Sequence, residues 1–141
     1  MTDIENKVID TITRAVEAAY PAALVEDRYN PSPASFPYAA VYELSNTNIQ
    51  RYVDNLENEL YSSLTYEVQV FANDKYKKST AKAIASLIDG EMRGMGFLRT
   101  FRNPVPNVDR TIYRIVMRYS AIVRKGILSD DEKTTTFLMY Q

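Results

Sequence analysis

The strongest constraint on the fold lies in residues 64–95, where an alternating pattern of apolar side chains passes directly into a helical one. The even positions of residues 64–72 are apolar, and the odd positions include the polar Glu67 and Gln69. A period of two is typical of a strand with one face buried. Only Phe71 breaks the alternation. This stretch therefore predicts a strand whose even-numbered side chains face a core.

A helical pattern follows after Asn73 and Asp74. Apolar residues recur there at spacings of three and four, at Ala81, Ile84, Ala85, Ile88, Met92 and Met95. Such spacing places one apolar stripe along a helix, and we expect this stripe to pack against a sheet. Asn73 or Asp74 is expected to accept the free N–H groups of the first turn. Gly94 or Gly96 is expected to end the helix in the left-handed conformation.

Length and composition indicate a single folded domain. A chain of 141 residues suffices for one domain that buries about two-thirds of its unfolded surface. Its content of 25% charged and 11% aromatic residues is typical of a folded, soluble chain. No apolar run approaches the ~20 residues of a membrane span. The N-terminus lacks the basic and then apolar order of a secretory signal, so we expect synthesis in a cytoplasm.

An amphipathic helix is predicted at the start of the chain. Thr2 and Glu5 have the spacing of a capping box, and apolar residues follow at helical intervals. The helix should end near Ala19 or Tyr20, since the residue before Pro21 is pushed out of the helical region.

Three further strands are predicted around the central pair of elements. They cover residues 37–44, 97–102 and 111–123, and the last is the longest. Residues 103–107 contain two prolines and are predicted to form a turn outside any ladder. Residues 45–59 are mostly polar, and they fit either a projecting hairpin arm or a strand continued by a mobile loop.

The order of these elements predicts an α+β domain. It contains an antiparallel sheet of about four to five strands, packed against the N-terminal helix and the central helix. We expect residues 1–125 to form this domain and residues 126–141 to form a C-terminal extension. The extension contains Phe137 and Met139 in a run with strand propensity. It docks either on its own domain or on a sheet edge of an adjacent copy, where these two side chains fill pockets.

The longest predicted strand carries arginines on the face opposite its apolar residues. Glu67 and Gln69 of the central strand could lie opposite Arg114 and Arg118, in pairs worth roughly 0.2–1 kcal/mol each. Tyrosines and arginines also interleave here, as in clefts that clamp single-stranded nucleic acid. Because the tyrosines share the apolar face, the favoured interpretation places these aromatic residues in the core and the arginines outside it.

Charge is unevenly distributed along the chain. Residues 1–96 hold nine basic against fourteen acidic residues, a net −5. Residues 97–126 hold seven against one, a net +6, and residues 127–141 hold one against three, a net −2. Complementary patches of this kind either neutralise each other within one domain or meet on neighbouring copies of the subunit.

The composition offers little for catalysis. The chain has no His, which removes the commonest general base and the commonest metal ligand. It has no Cys, which removes thiol nucleophiles and thiolate zinc sites. Asp54, Glu57 and Glu59 could bind a hard cation, but they lack the spacing of a calcium loop, so a solvated acidic loop is favoured. We therefore expect no enzyme activity and no catalytic, cofactor or metal site.

The order of elements and several short strings resemble a known family. The strings are Phe36-Pro37-Tyr38 at a strand start, residues 64–71 of the central strand, Gly96-Phe97, and residues 103–107 and 113–120. With these features the chain resembles the tail terminator, or tail completion, proteins of long-tailed bacteriophages. The resemblance covers roughly residues 1–125, and the extension after Lys125 is not matched by the family.

The resemblance implies a structural virion protein. Proteins of this family are α+β subunits that form a hexameric ring, stop growth of the tail tube and join it to the head. The implied partners are the tail tube protein on one side and the head connector protein on the other. DNA would pass through the ring without specific binding, and no membrane is involved. The implied location is the head–tail interface of a virion assembled in the host cytoplasm.

Two groups of residues are candidates for contacts in such a ring. Candidates for contact with other subunits or partners are Glu67, Arg114, Arg118, Phe137 and Met139. Candidates for an acidic arm that faces the channel are Asp54, Glu57 and Glu59. Like charge would keep passing DNA from sticking to such an arm, although a solvated loop on the outside of the ring fits equally.

Three alternatives stay open. The same features fit a head-completion or connector protein of the same head–tail joint. A small nucleic-acid-binding module that uses the Arg-rich sheet face belongs to a different class, and strongly salt-dependent binding by a monomer would favour it. An enzyme based on carboxylates would need a deep pocket that holds a carboxyl group of raised pKa.

Overall fold

The computed structural model describes residues 4–48, 61–125 and 135–138, and it confirms the predicted α+β fold class. Two helices, α1 (Glu5–Ala19) and α2 (Lys77–Gly94), lie against one face of a mixed sheet. The strands are β1 (Leu24–Glu26), β2 (Tyr38–Asn48), β3 (Tyr61–Ala72), β4 (Leu98–Pro104), β5 (Tyr113–Lys125) and β6 (Thr135–Leu138). Neither described helix has an apolar stretch long enough to cross a bilayer.

The strand order is β1-β2-β3-β5-β4, with β6 also paired to β5. The pairs β2–β3, β3–β5 and β4–β5 are antiparallel, as predicted. β1 is parallel to β2, with Leu24 opposite Tyr38 and Glu26 opposite Ala40. The sequence did not predict β1, because three residues are too few to show a period of two. Its strand conformation depends on pairing with β2.

The hairpin of β2 and β3 is longer than predicted. The two strands pair as far as Asn48 opposite Ser62, so residues 45–48 continue β2. The register shifts once between Glu43 and Ser45, which is a β-bulge. Residues 49–60, which connect the two strands along the chain, lie outside the described residues.

The described part of the C-terminal extension pairs with its own chain. Thr135 lies opposite Lys125 and Leu138 opposite Ile122, in antiparallel register. Because β3 occupies the other edge of β5 as far as Arg124, β6 lies on the same edge as β4 and continues it. Of the two predicted docking modes, residues 135–138 adopt the intramolecular one.

The core lies between the helices and one face of the sheet, and it confirms the predicted alternation. From α1 the buried side chains are Val8, Ile12 and Val16; from α2 they are Ala81, Ile84, Ala85, Ile88 and Met92. From the central strands they include Leu64, Tyr66, Val68, Val70, Ile115, Met117 and Tyr119. The even positions of β3 and the odd positions of β5 therefore share one face; of the two tyrosines predicted for the core, Tyr119 is buried and Tyr113 is partly buried against the core.

Phe71, the exception to the alternation, has its own apolar surroundings on the opposite face of the sheet. It forms a second, smaller buried cluster with Tyr38 and Ala40 of β2. Only 4% of Phe71 is exposed. The break in the pattern thus marks a place where both faces of β3 are buried.

The central helix ends at the predicted glycine. Gly96 has a φ of 101°, in the left-handed region. Its N–H donates to the carbonyl of Arg93, and the N–H of Phe97 donates to the carbonyl of Met92, each at 3.0 Å. These two bonds form a Schellman motif. They also direct Phe97 into the core, where it is 1% exposed.

Two predictions at the ends of elements need correction, and the predicted capping box of Thr2 and Glu5 falls partly outside the described residues. The side chain of Asp74 does not cap α2 directly; it accepts hydrogen bonds from the N–H of Tyr76 and the hydroxyl of Thr80 instead. Residue Ile4 precedes α1 without a side-chain cap, and Thr2 lies outside the described residues. β4 extends to Pro104 opposite Ile115, because an edge strand tolerates a proline whose missing N–H faces away from the ladder.

Candidate interaction surface

The face of the sheet opposite the two helices is called here the outer face. In the part of the chain that the structure describes, no helix lies over it. Register and alternation place the predicted interface residues Glu67, Arg114 and Arg118 on this face. The same rules place Leu98 and Phe101 of β4 there.

One row of side chains crosses four strands of the outer face. Tyr42 of β2 lies opposite Glu67 of β3, which lies opposite Arg118 of β5, which lies opposite Phe101 of β4. The prediction that Glu67 meets an arginine is confirmed: Arg118 Nε is 2.9 Å from Glu67 Oε1. The Glu67 side chain is 10% exposed and that of Arg118 is 52% exposed. The pair therefore has a nearly buried acid and an accessible base.

The second carboxylate oxygen of Glu67 is also bonded. The Tyr42 hydroxyl donates to Oε2, and Gln69 Nε2 donates to the same atom at 3.1 Å. Burial by itself would raise the pKa of Glu67, but the hydrogen bonds from Tyr42, Arg118 and Gln69 lower it below its usual value of 4.5. Burial and the bond to Glu67 raise the pKa of Tyr42 to about 12. The acid is thus held ionised and the phenol neutral.

Gln69 extends these contacts to the second arginine. Its Oε1 accepts a hydrogen bond from Arg114 Nε at 2.9 Å, and its Nε2 donates to the Tyr42 hydroxyl at 2.7 Å. Gln69 was predicted to lie opposite an arginine; it lies opposite Val116 instead and contacts Arg114 diagonally. The five residues Tyr42, Glu67, Gln69, Arg114 and Arg118 form a continuous set of polar contacts, named here the outer-face network.

Two aromatic rings hold the guanidinium of Arg114 in place. Its central carbon is 5.7 Å from the ring centroid of Tyr29 and 5.6 Å from that of Phe71. The two rings are nearly parallel, at 22°, with centroids 5.9 Å apart. Cation–π contacts of this kind stabilise the charged group and restrict its orientation. No sequence pattern predicted this role of Tyr29, because it lies in a turn-rich linker forty-two positions before Phe71.

Apolar side chains flank the network on β4. Leu98 is 39% exposed and Phe101 is 40% exposed. The guanidinium of Arg118 lies 5.6 Å from the Phe101 ring centroid. Exposed large apolar side chains next to ordered charged groups are typical of the rim and core of a protein interface.

Other arginines of the basic segment are engaged on the helix side of the sheet. Arg99 Nη1 lies 3.4 Å from Asp89 Oδ1 of α2, and the Tyr119 hydroxyl donates to the same oxygen at 2.7 Å. Burial, followed by the contact with Asp89, raises the pKa of Tyr119. Arg102 lies 3.5 Å from the hydroxyl of Ser86. Part of the positive segment is therefore neutralised within the domain, which was one of the two predicted arrangements.

The other predicted contact residues are less well placed. The backbone of Phe137 lies in β6 opposite Val123. Met139 and the acidic residues Asp54, Glu57 and Glu59 lie outside the described residues, so their roles stay predictions. Within residues 4–48, 61–125 and 135–138 no group of three acidic, His or Cys side chains could hold a metal ion.

Acidification should destabilise the chain through Glu67. Because its pKa is lower in the folded chain than its usual 4.5, the unfolded chain binds this proton more tightly. The stabilisation is present above about pH 4.5 and is lost as the pH falls through the folded-state pKa. Glu67→Gln should therefore flatten the acid side of the curve of unfolding free energy against pH, measured by urea denaturation.

The control is Glu17→Gln, which removes an exposed carboxylate from α1. This variant should keep the pH dependence of the parent chain below about pH 4.5. An unchanged acid slope in Glu67→Gln would show that the network does not hold the Glu67 carboxylate ionised.

No model of a protein family matches the chain, and no curated protein is significantly similar to it in sequence.

Proposed function

We propose that this chain is a structural subunit of a phage tail, a tail terminator that assembles into a hexameric ring. The ring would cap the end of the tail tube and join it to the head connector. The observation that carries the proposal is the outer face, which is uncovered by the described helices and presents the outer-face network beside Leu98 and Phe101. A surface built in this way suits repeated contact with another protein.

The outer-face network supports association because its charged groups are already ordered. Association is weakened when long side chains must be immobilised and charged groups lose water. Arg118 is positioned by Glu67, and Arg114 by Gln69, before any partner arrives. The conformational entropy of these two side chains is therefore largely lost already in the free subunit. Half-exposed Arg118 still presents donors to a neighbour.

The remaining candidate residues have roles in the proposed ring. The backbone of residues 135–138 pairs with β5 of the same chain, so contact of Phe137 and Met139 with a neighbouring subunit or partner would be made by an extension that stays docked on its own domain. Asp54, Glu57 and Glu59 face the channel, where their charge repels the phosphates of passing DNA. The tube protein binds one side of the ring and the connector binds the other. Assembly takes place in the host cytoplasm, and the ring stays in the virion.

The nucleic-acid-binding alternative is less well supported. Arg118 is paired with Glu67, and Arg99 is paired with Asp89, so these side chains do not form a track of unneutralised charge. Affinity for nucleic acid depends on such a track, because each phosphate contact releases a counterion. A head-completion protein of the same joint would share the proposed surface and differ in its partner.

Native mass spectrometry and negative-stain electron microscopy of the purified protein test the proposal. We expect closed hexameric rings whose population rises with protein concentration. A mixture with purified tail tubes should place these rings at tube ends, whereas a head-completion protein would leave the tube ends bare. A protein that stays monomeric with and without tubes, and that binds single-stranded DNA with strong salt dependence, would contradict the ring and favour the alternative.

A further inference from the structure

A cleft of about 380 Å³ lies where the loop between β4 and β5 meets the start of β5. One wall is apolar and includes Pro104, Pro106 and Ile112, and the cleft is also lined by Arg110 and Arg114. We propose that this cleft binds a carboxylate-bearing segment of another protein. The carboxylate would be held by the two arginines, and an adjoining apolar side chain would lie against the proline wall.

Arg114 is prepared to receive an oxyanion. Its Nε is bonded to Gln69, and its guanidinium is held beside the rings of Tyr29 and Phe71. Among the described residues, no side chain or carbonyl accepts a hydrogen bond from its terminal nitrogens Nη1 and Nη2. A planar guanidinium with both terminal nitrogens available binds a carboxylate in two parallel hydrogen bonds.

Arg110 supplies a second positive charge from a loop that internal hydrogen bonds stabilise. Asp109 Oδ1 accepts hydrogen bonds from the N–H and the hydroxyl of Thr111, at 2.9 Å and 2.6 Å. The carbonyl of Asp109 accepts from Ile112 N–H and from Asn107 Nδ2. Asp109 is the one acidic side chain next to Arg110 in this loop, and its Oδ1 already has two donors. Arg110 itself is exposed, and none of the described residues forms a salt bridge with it.

The apolar wall favours a peptide over a nucleic acid. Proline side chains lose little conformational entropy when a ligand covers them. A second cleft of about 440 Å³ shares Asn107 and Ile112 with the first, and its mixed lining includes the apolar Pro33 and Phe36 together with Asp109. The next arginine of β5 is Arg118, which Glu67 already neutralises. The positive charge is therefore local, which suits one carboxylate better than a chain of phosphates.

Titrations monitored by the amide and arginine side-chain signals of the nitrogen-15-labelled full chain test this proposal. The first probe is acetyl-Leu-Asp-Leu-amide, with acetyl-Leu-Asn-Leu-amide as its uncharged match. Acetyl-Leu-Leu with a free C-terminus distinguishes a terminal carboxylate from a side-chain one. Inorganic phosphate and a short oligothymidine test the other sources of an oxyanion. We expect signals of residues 104–114 to shift with a carboxylate peptide, with about tenfold weaker binding of the Asn peptide and of phosphate.

Two variants and one control complete the test. Arg110→Gln removes an exposed charge, so the fold should persist, and it should weaken binding of the Asp peptide about fivefold or more. Arg114→Lys keeps a charge but loses the planar pair of donors, and it should weaken binding at least as much. The control Lys78→Gln removes an exposed charge from α2 and should bind like the parent.

Two results would overturn the proposal. One is the absence of shifts at the cleft with either carboxylate peptide. The other is binding of phosphate or oligothymidine as tightly as the peptides. The measurement reads the cleft itself and does not require a ring. Failure of ring assembly would therefore leave this inference standing, and loss of peptide binding would leave the ring proposal standing.

Discussion

Leu64→Asp and Met117→Asp should each leave the chain unfolded at room temperature. Both side chains are 0% exposed, and they lie on the helix-covered face of β3 and β5. An unpaired carboxylate in an apolar core costs several kcal/mol, against a total stability of about 5–15 kcal/mol for a domain of this kind. Far-ultraviolet circular dichroism and thermal melting measure the effect.

Two kinds of control variant distinguish the effect of the added charge from the effect of its position in the sheet. Leu64→Met and Met117→Leu keep volume and polarity, so each should cost less than about 1.5 kcal/mol. Arg118→Ala removes the partner of Glu67 from the opposite face, yet its side chain is half exposed, so the fold should persist with a loss of about 1 kcal/mol. Equal melting temperatures for both Asp variants, Arg118→Ala and the parent would show that the faces of the two strands are assigned wrongly.

Phe97→Ala should lower the free energy of unfolding by about 3–5 kcal/mol. Phe97 is 1% exposed and packs edge-on against Tyr66, with ring centroids 5.4 Å apart at 71°. Its removal leaves a cavity between α2 and the sheet, and the rigid Schellman turn before it limits how far the backbone can close that cavity. Urea denaturation at fixed pH gives the loss directly.

Phe101→Ala is the matched control, since it makes the same chemical change four residues later on the outer face. Phe101 is 40% exposed, so the change should alter stability by less than about 1 kcal/mol. In the proposed ring it should weaken self-association, which analytical ultracentrifugation of the parent and variant would measure. Equal stability losses in the two variants would contradict the assignment of Phe101 to an exposed face. Unchanged self-association of Phe101→Ala would remove this residue from the proposed interface.

The sequence alone determined which faces of the central elements are buried. Alternation in residues 64–72 and 111–123 predicted the core side chains, and it also predicted that Glu67 lies opposite an arginine of the neighbouring strand. The positions of Gly94 and Gly96 predicted where α2 ends, and the structure selects Gly96 as the left-handed residue. These features depend on local periodicity and local backbone conformation, which are properties of short stretches of chain.

Only the tertiary structure decided how distant segments combine. β1 forms because it pairs with β2 through backbone hydrogen bonds. Pro104 is part of β4 because that strand lies at an edge of the sheet. Tyr42 reaches Glu67 through strand register, and Tyr29 reaches Arg114 and Phe71 through the path of the linker. No periodicity within a segment encodes such contacts. They arise because strand pairing and chain reversal bring together residues that are tens of positions apart. The ordering of Arg114 and the cleft beside it depend on contacts of this kind.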